Sequence, residues 1–347
     1  MESLVSAFKL QAQWCYGLGS PLYGALLERC AADLRSRRGP LGALLAPHGD
    51  DPPESALALR LMAAVHRLAL AGEAPALARH YPSCGGDGDA IAAWAAFSNV
   101  IAAEQPMLHR GLLEPVQTNE VSRAAALLGG FLMLAARFGR PLRLLELGAS
   151  AGFLLRWDKY RYRAGEWTWG PPSSPVCLDE HFADATLPFN SEALPVAIAE
   201  RRGCDLAPID ATSEAGSVRL RSFVWADQRD RLARLDAACS VARSVAATVD
   251  RADAPAWLAE KLAEPSPGTV TIVFHAVVMQ YLSKNCQTIV DAILARAGEH
   301  ATSDAPLARL SLEPRSGPNV VLQLWPSGEE IGLARASLHG GDVTWQV

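Results

Sequence analysis

The stretch RLLELGASAGFLLRWDKY, Arg143 to Tyr160, decides how this chain is read. At its centre, Gly148-Ala149-Ser150-Ala151-Gly152 admits two incompatible parses. As G-x-S-x-G it is a nucleophile elbow, with Ser150 attacking an ester or amide. As an acid followed by spaced glycines at the end of a strand, it is a backbone cradle for a nucleotide-like cofactor.

The flanks bear on the choice. Residues 1–138 read as helix after helix. In SPLYGALLERC, Ser20 stands as N-cap and Pro21 at the first helical position. NEVSRAAALLGGFLMLAARFG has Asn119 as candidate cap and Gly139 as terminator. At Pro141 the pattern changes: LRLLEL, GTVTIVFHAVV and LARLSLEP are short apolar runs with strand character. The tail from Asn319 reads as two or three antiparallel strands, with Pro-Ser-Gly and His-Gly-Gly-Asp as turns. Strands alternating with helices predict a mainly parallel α/β sheet. The expected organisation is a helical domain at 1–138 and an α/β domain at 139–347, with an insertion around 156–200.

The elbow needs an oxyanion loop and strands ahead of the serine, and the preceding residues are helical instead. Its acid and base would be Asp304 and His339, chosen only because they come later in the chain. The cradle needs less. Glycines at 148 and 152 let the backbone turn tightly and open a helix toward a ligand. Glu146 would repel a pyrophosphate, yet it suits S-adenosylmethionine, which carries an ammonium, a sulfonium and no phosphate. A turn of small residues that binds nothing is the plainer alternative.

Bulk properties narrow the class. Half the residues are hydrophobic, a fifth are charged, and the net charge is −5. No basic field recommends nucleic acid as partner. Seven scattered cysteines without a C-x-x-C pair suit reduced thiols, not a disulfide framework or a metal site. The amino terminus lacks signal-peptide character, and the longest apolar run, Ala124–Ala136, is too short to span a bilayer. A cytoplasmic protein without membrane association is expected.

LLELGASAG resembles motif I of class I S-adenosylmethionine-dependent methyltransferases, with Ser150 where the middle glycine of G-x-G-x-G usually stands. SPLYGALL, VQTNEVSRAAALL, LLELGASAGFLLRWDKYRY (144–162), RRGCDLAPID, FVWADQRDRLARLDAA, FHAVVMQYL, LSLEP and LARASLHGGDVTW resemble a bacterial family. That family is catalogued as domain of unknown function 2332. The resemblance implies a methyltransferase-like Rossmann sheet, mainly parallel with an antiparallel end, behind a helical extension. It brings no established activity. The activity expected from the methyltransferase likeness is methyl transfer from S-adenosylmethionine to an unknown acceptor. A non-catalytic ligand-binding protein of the same fold is the alternative, and a serine hydrolase using Ser150 is third.

On that likeness Glu146, Gly148, Ser150 and Gly152 line the methionine and ribose side of the cofactor. Asp205 is preferred over Asp227 as the acid ending the second strand, and Asp253 is assigned to the adenine amino group. Asp253 is equally readable as a helix N-cap before Pro255. His275 falls where the fourth strand meets the active-site face and could act as general base. A histidine beside an apolar strand also suits a purely structural, hydrogen-bonded role. In QTNE (117–120), Asn119 and Glu120 could face the ligand, or Asn119 could simply cap a helix. KYRYRAGEWTWG (159–170) reads as a β-hairpin, either a substrate lid or, more simply, aromatics packed on the body.

Overall fold

The computed structural model describes residues 2–36, 39–52, 55–117, 119–183 and 194–346. They form two compact units, 1–118 with 213–236, and 119–212 with 237–347.

The first unit is helical: α1 (Glu2–Gly17), α2 (Pro21–Ser36), α3 (Pro40–Leu45), α4 (Leu57–Leu70), α5 (Pro75–Ala78), α6 (Ala90–Ala103) and α7 (Gln105–Leu112). Phe8, Leu26, Leu27, Leu61 and Phe97 are fully buried and share its core with Trp225. Asp89 caps α6 by accepting from the Ile91 and Ala92 amides. The start of α2 departs from expectation. Ser20 donates its hydroxyl to Asp227 at 2.5 Å, and Asp227 accepts from the Leu22 amide at 3.0 Å. The cap is therefore supplied from 205 residues away.

The second unit holds α8 (Arg123–Phe138) and an eight-stranded sheet. Its strands are β1 (Leu142–Leu147), β5 (Ile198–Asp205), β6 (Thr248–Arg251), β7 (Val270–Ala276), β8 (Leu307–Leu312), β9 (Val320–Trp325), β10 (Glu329–Arg335) and β11 (Thr344–Trp345), in the order β11-β10-β9-β8-β7-β1-β5-β6. β6, β5, β1, β7 and β8 are parallel; β9, β10 and β11 complete the sheet as an antiparallel meander. The fold class is α/β with a large, mostly parallel sheet.

Between β1 and β5 lies a separate three-stranded sheet of β2 (Arg161–Ala164), β3 (Trp167–Trp169) and β4 (Cys177–Leu178). It occupies part of the expected insertion, of which 184–193 falls outside the described residues. β2 and β3 are the expected hairpin. Tyr162, Trp167 and Trp169 are buried, and Trp169 stacks on Trp157 at 5.2 Å, which stacks on Phe131 of α8 at 4.5 Å. The aromatics thus belong to the core, while Arg163 pairs with Asp179.

The later helices are α9 (Glu214–Ser222), α10 (Arg229–Ser244), α11 (Ala254–Lys261) and α12 (Lys284–Glu299). The compact units do not divide at 138/139. α8 belongs to the sheet unit: twelve of its sixteen residues are buried, and Gly129 and Gly130 let it lie directly on Trp345 and Leu310. α9 and the first half of α10 belong to the helical unit. No helix among the described residues is long and apolar enough to cross a membrane.

Candidate functional site

Side chains alternate faces along a strand, so register decides which residues can meet. Glu146 pairs with Phe274 on β7 and with Gly203 on β5. Phe274 packs edge-on against Phe131 of α8, so Glu146 projects from the α8 face. Asp205, two residues beyond Gly203, projects from that face too. Gly203 leaves no room for a side chain, because a Cβ there would lie 2.5 Å from Ala149 and 3.0 Å from the Glu146 carbonyl.

Beyond β1 the chain enters a turn in which Gly148, Ser150 and Gly152 take φ of +66°, +51° and +68°. A Cβ at Gly148 would meet the Val278 methyls at 2.7 Å, so glycine is required there on two counts. Ser150 adopts the left-handed conformation without glycine's freedom, and its neighbours hold it there. Its amide donates to Asp205 Oδ2 at 2.9 Å, and Asn119 Nδ2 donates to its hydroxyl. The Ala151 amide donates to Asn119 Oδ1 at 3.1 Å. The Ala149 and Gly152 amides are taken by the Cys204 and Ala149 carbonyls. Every amide from 149 to 152 already has an acceptor, so the turn is not an open anion nest. The helix expected after it is absent; a 3₁₀ turn, Leu154–Lys159, with non-helical Arg156, follows instead.

Glu146 is 3% exposed, and among the described residues its Oε2 has no hydrogen-bond donor. Burial holds its carboxyl well above the ordinary range; Arg156 and Arg123 oppose that shift and Asp205 adds to it. The two arginines are committed elsewhere. Arg156 donates to the carbonyls of Ala151, Gly152 and Val245, and Arg123 to those of Leu338 and Ala276. A buried carboxyl lacking a donor is costly by itself and suits a ligand that carries one.

Asn119 does not cap α8, whose N-cap is Ser122; its side chain holds the Ser150 turn. Glu120 is buried and accepts from the Ser122 amide. Thr118 lies outside the described residues. Asp205 ends the strand beside β1, whereas Asp227 lies in the helical unit. Asp253 follows β6 as the N-cap residue of α11, exposed and making no side-chain cap bond.

His275 sits apart from this group. Being next to Phe274, it points to the opposite face of the sheet. Arg309 Nε donates to its Nε2 at 3.1 Å, so Nδ1 carries the proton and donates to Glu313 Oε1 at 2.7 Å. Burial depresses its pKa, the Glu313 bond opposes this, and Arg309 depresses it further. With both nitrogens engaged, no lone pair is open to a substrate proton, and the structural role fits the geometry. Glu313 Oε1 also accepts from the Val278 and Met279 amides at 2.9 and 3.2 Å, while its buried Oε2 has no donor among the described residues. Glu313 thereby shapes the turn whose Val278 rests on Gly148.

Asp304 is too far from Ser150 to serve as its acid. Asp304 pairs with Arg140 ahead of β1, and its carbonyl accepts from Gly268 ahead of β7. It stands at the amino ends of the strands, about 20 Å of strand from Ser150. Three residues near the turn escaped sequence reasoning: Arg123, Arg156 and Glu313. Each lies in a family-like block, and a lone charge inside an apolar run was the available signal. Among the described residues no group of three or more His, Cys, Asp or Glu could hold a metal ion.

The α8-face cluster defines an α/β protein with a candidate ligand site at the carboxyl edge of a parallel sheet. The chain belongs to the family described as uncharacterized protein conserved in bacteria (DUF2332), which matches residues 5–345. No curated protein and no solved structure matches it.

Proposed function

We propose that the protein binds S-adenosylmethionine at the carboxyl edge of β1 and β5 and passes its methyl group to an acceptor. The buried Glu146 oxygen without a donor carries this reading. The strand order β6-β5-β1-β7-β8 supports it, because chain direction across the sheet reverses between β1 and β7. Open α/β sheets bind ligands at such switch points, and the parallel part of the sheet suits a methyltransferase-like Rossmann fold. The occupied amides of the 149–152 turn favour a ligand without phosphates.

In this reading Glu146 ionises and takes the ligand ammonium, Asp205 orients the ribose hydroxyls, and Asp253 reaches the adenine amino group. Gly148 and Gly152 admit the ligand close to the backbone, with Ser150 held back by Asn119. The cofactor supplies an electrophilic methyl on its sulfonium. The chain's task is then positioning, for which a base is not obligatory. A non-catalytic ligand-binding role is the second reading, favoured by the engagement of both His275 nitrogens.

Calorimetry with S-adenosylmethionine and S-adenosylhomocysteine tests the site. Binding on the order of micromolar, lost in Glu146→Gln and Gly148→Arg, is expected. The heat should differ between phosphate and Tris buffers as Glu146 releases a proton on binding. Folded protein that gives no heat at millimolar ligand would sink the proposal. Binding without turnover by any offered acceptor would favour the second reading.

A further inference from the structure

The helical unit contains a serine that the glycine motif did not point to. Ser83 lies in the 3₁₀ turn Pro82–Cys84, half-buried, ahead of Gly85 and Gly86. His66 of α4 is fully buried, and Tyr23 and Tyr81 form T-shaped pairs with its ring at centroid distances of 6.3 and 5.4 Å. Its Nδ1 stands 3.2 Å from the Ser222 carbonyl, which can only accept, so Nδ1 bears the proton. Nε2 therefore presents a lone pair, and the Ser83 hydroxyl donates to it at 2.7 Å. Nucleophile, base and orienting acceptor stand in line, the arrangement that activates a hydroxyl. Arg221 Nη2 lies 3.4 Å from the Ser83 carbonyl, while its Nη1 is paired with Asp236.

We propose that Ser83 and His66 form a nucleophilic dyad that accepts acyl groups from activated esters or thioesters with anionic leaving groups. Ser83 Oγ bonds to the acyl carbon while its proton passes to His66 Nε2. The bond from acyl carbon to the leaving oxygen or sulfur breaks, and that atom takes the proton from Nε2. Water then attacks the acyl carbon as Nε2 takes its proton; the bond from acyl carbon to Oγ breaks, the carboxylic acid leaves, and Nε2 returns the proton to the Ser83 oxygen. Burial, with Arg221 adding to it, pushes the His66 pKa down to about 4, while the Ser222 carbonyl opposes the shift. The imidazole is thus neutral and able to accept at neutral pH. The same environment destabilises the imidazolium, which restricts the dyad to good leaving groups.

The full chain is treated with a fluorophosphonate probe and mapped by peptide mass. The expected result is one adduct, on Ser83, absent in Ser83→Ala and slowed at least about tenfold in His66→Gln. Should His66→Gln fail to fold, the wild-type pH profile decides. A histidine base gives a labelling rate that is flat above about pH 5 and falls toward pH 4. A rate rising about tenfold per pH unit, an unlabelled Ser83 in folded protein, or an adduct on Ser150 alone overturns the proposal.

Discussion

Glu146 and Glu313 both stand at the carboxyl ends of the two parallel strands that flank β7, β1 and β8. The fold treats them differently. Glu313 gathers His275 and two backbone amides on one oxygen, and those bonds pull its carboxyl below the ordinary range although burial alone would raise it. Glu146 is more deeply buried, has nearby arginines that donate elsewhere, and stays well above that range. One carboxylate is a structural clamp. Both keep a buried Oε2 without a donor among the described residues, but at Glu146 no such clamp offsets the burial, as a ligand site requires.

The largest test of that difference is truncation. Glu313→Ala should destabilise the protein by about 2–4 kcal/mol in urea unfolding, because three donors lose their acceptor. Glu146→Gln should cost nothing or raise the midpoint; a loss as large as that of Glu313→Ala would erase the contrast. Next, Gly148→Ala should cost about 2–3 kcal/mol, from positive φ and the Val278 clash together. Pairing it with Val278→Ala should recover part of that cost, leaving only the backbone strain.

A pH series sharpens the comparison further. The folded-state pKa of Glu146 lies above its ordinary 4.5, so the native state holds a proton that the unfolded chain has released. Its contribution should therefore fall as pH rises from about 4.5 toward the raised value. Urea midpoints of wild type and Glu146→Gln should diverge across that window, with the variant losing less. The smallest effect is expected at Ser150→Gly. Relief of left-handed strain and loss of the Asn119 bond oppose each other, and the net change should stay within about 1 kcal/mol.

The site's acids and glycines were legible because strand ends and tight turns leave local traces. LRLLEL running into Gly148 announces a strand meeting a turn, and RRGCD announces an acid at the end of another. What could not be read depends on register and on distant partners. His275 looked catalytic because it ends a strand, but whether it shares the face of Glu146 is fixed by pairing with β1. Asn119 read as a cap because its partner, Ser150, lies 31 residues away. The α8 sequence is apolar on almost every side, which is compatible with a helical bundle or with a helix laid on a sheet. Nothing in residues 213–236 tells that they join a unit begun more than a hundred residues earlier.

The contact of Gly340 with the start of α8 has a bearing on synthesis. A Cβ on Gly340 would lie 2.3 Å from the backbone of Ser122 and Arg123, and Arg123 donates to Leu338 across 215 residues. Loops of that span close slowly and at an entropic cost. α8 therefore leaves the ribosome with its apolar faces bare and must wait for residue 340 before its first turn is secured. Closing that contact is therefore a late step for this helix, whatever else of the sheet has already formed.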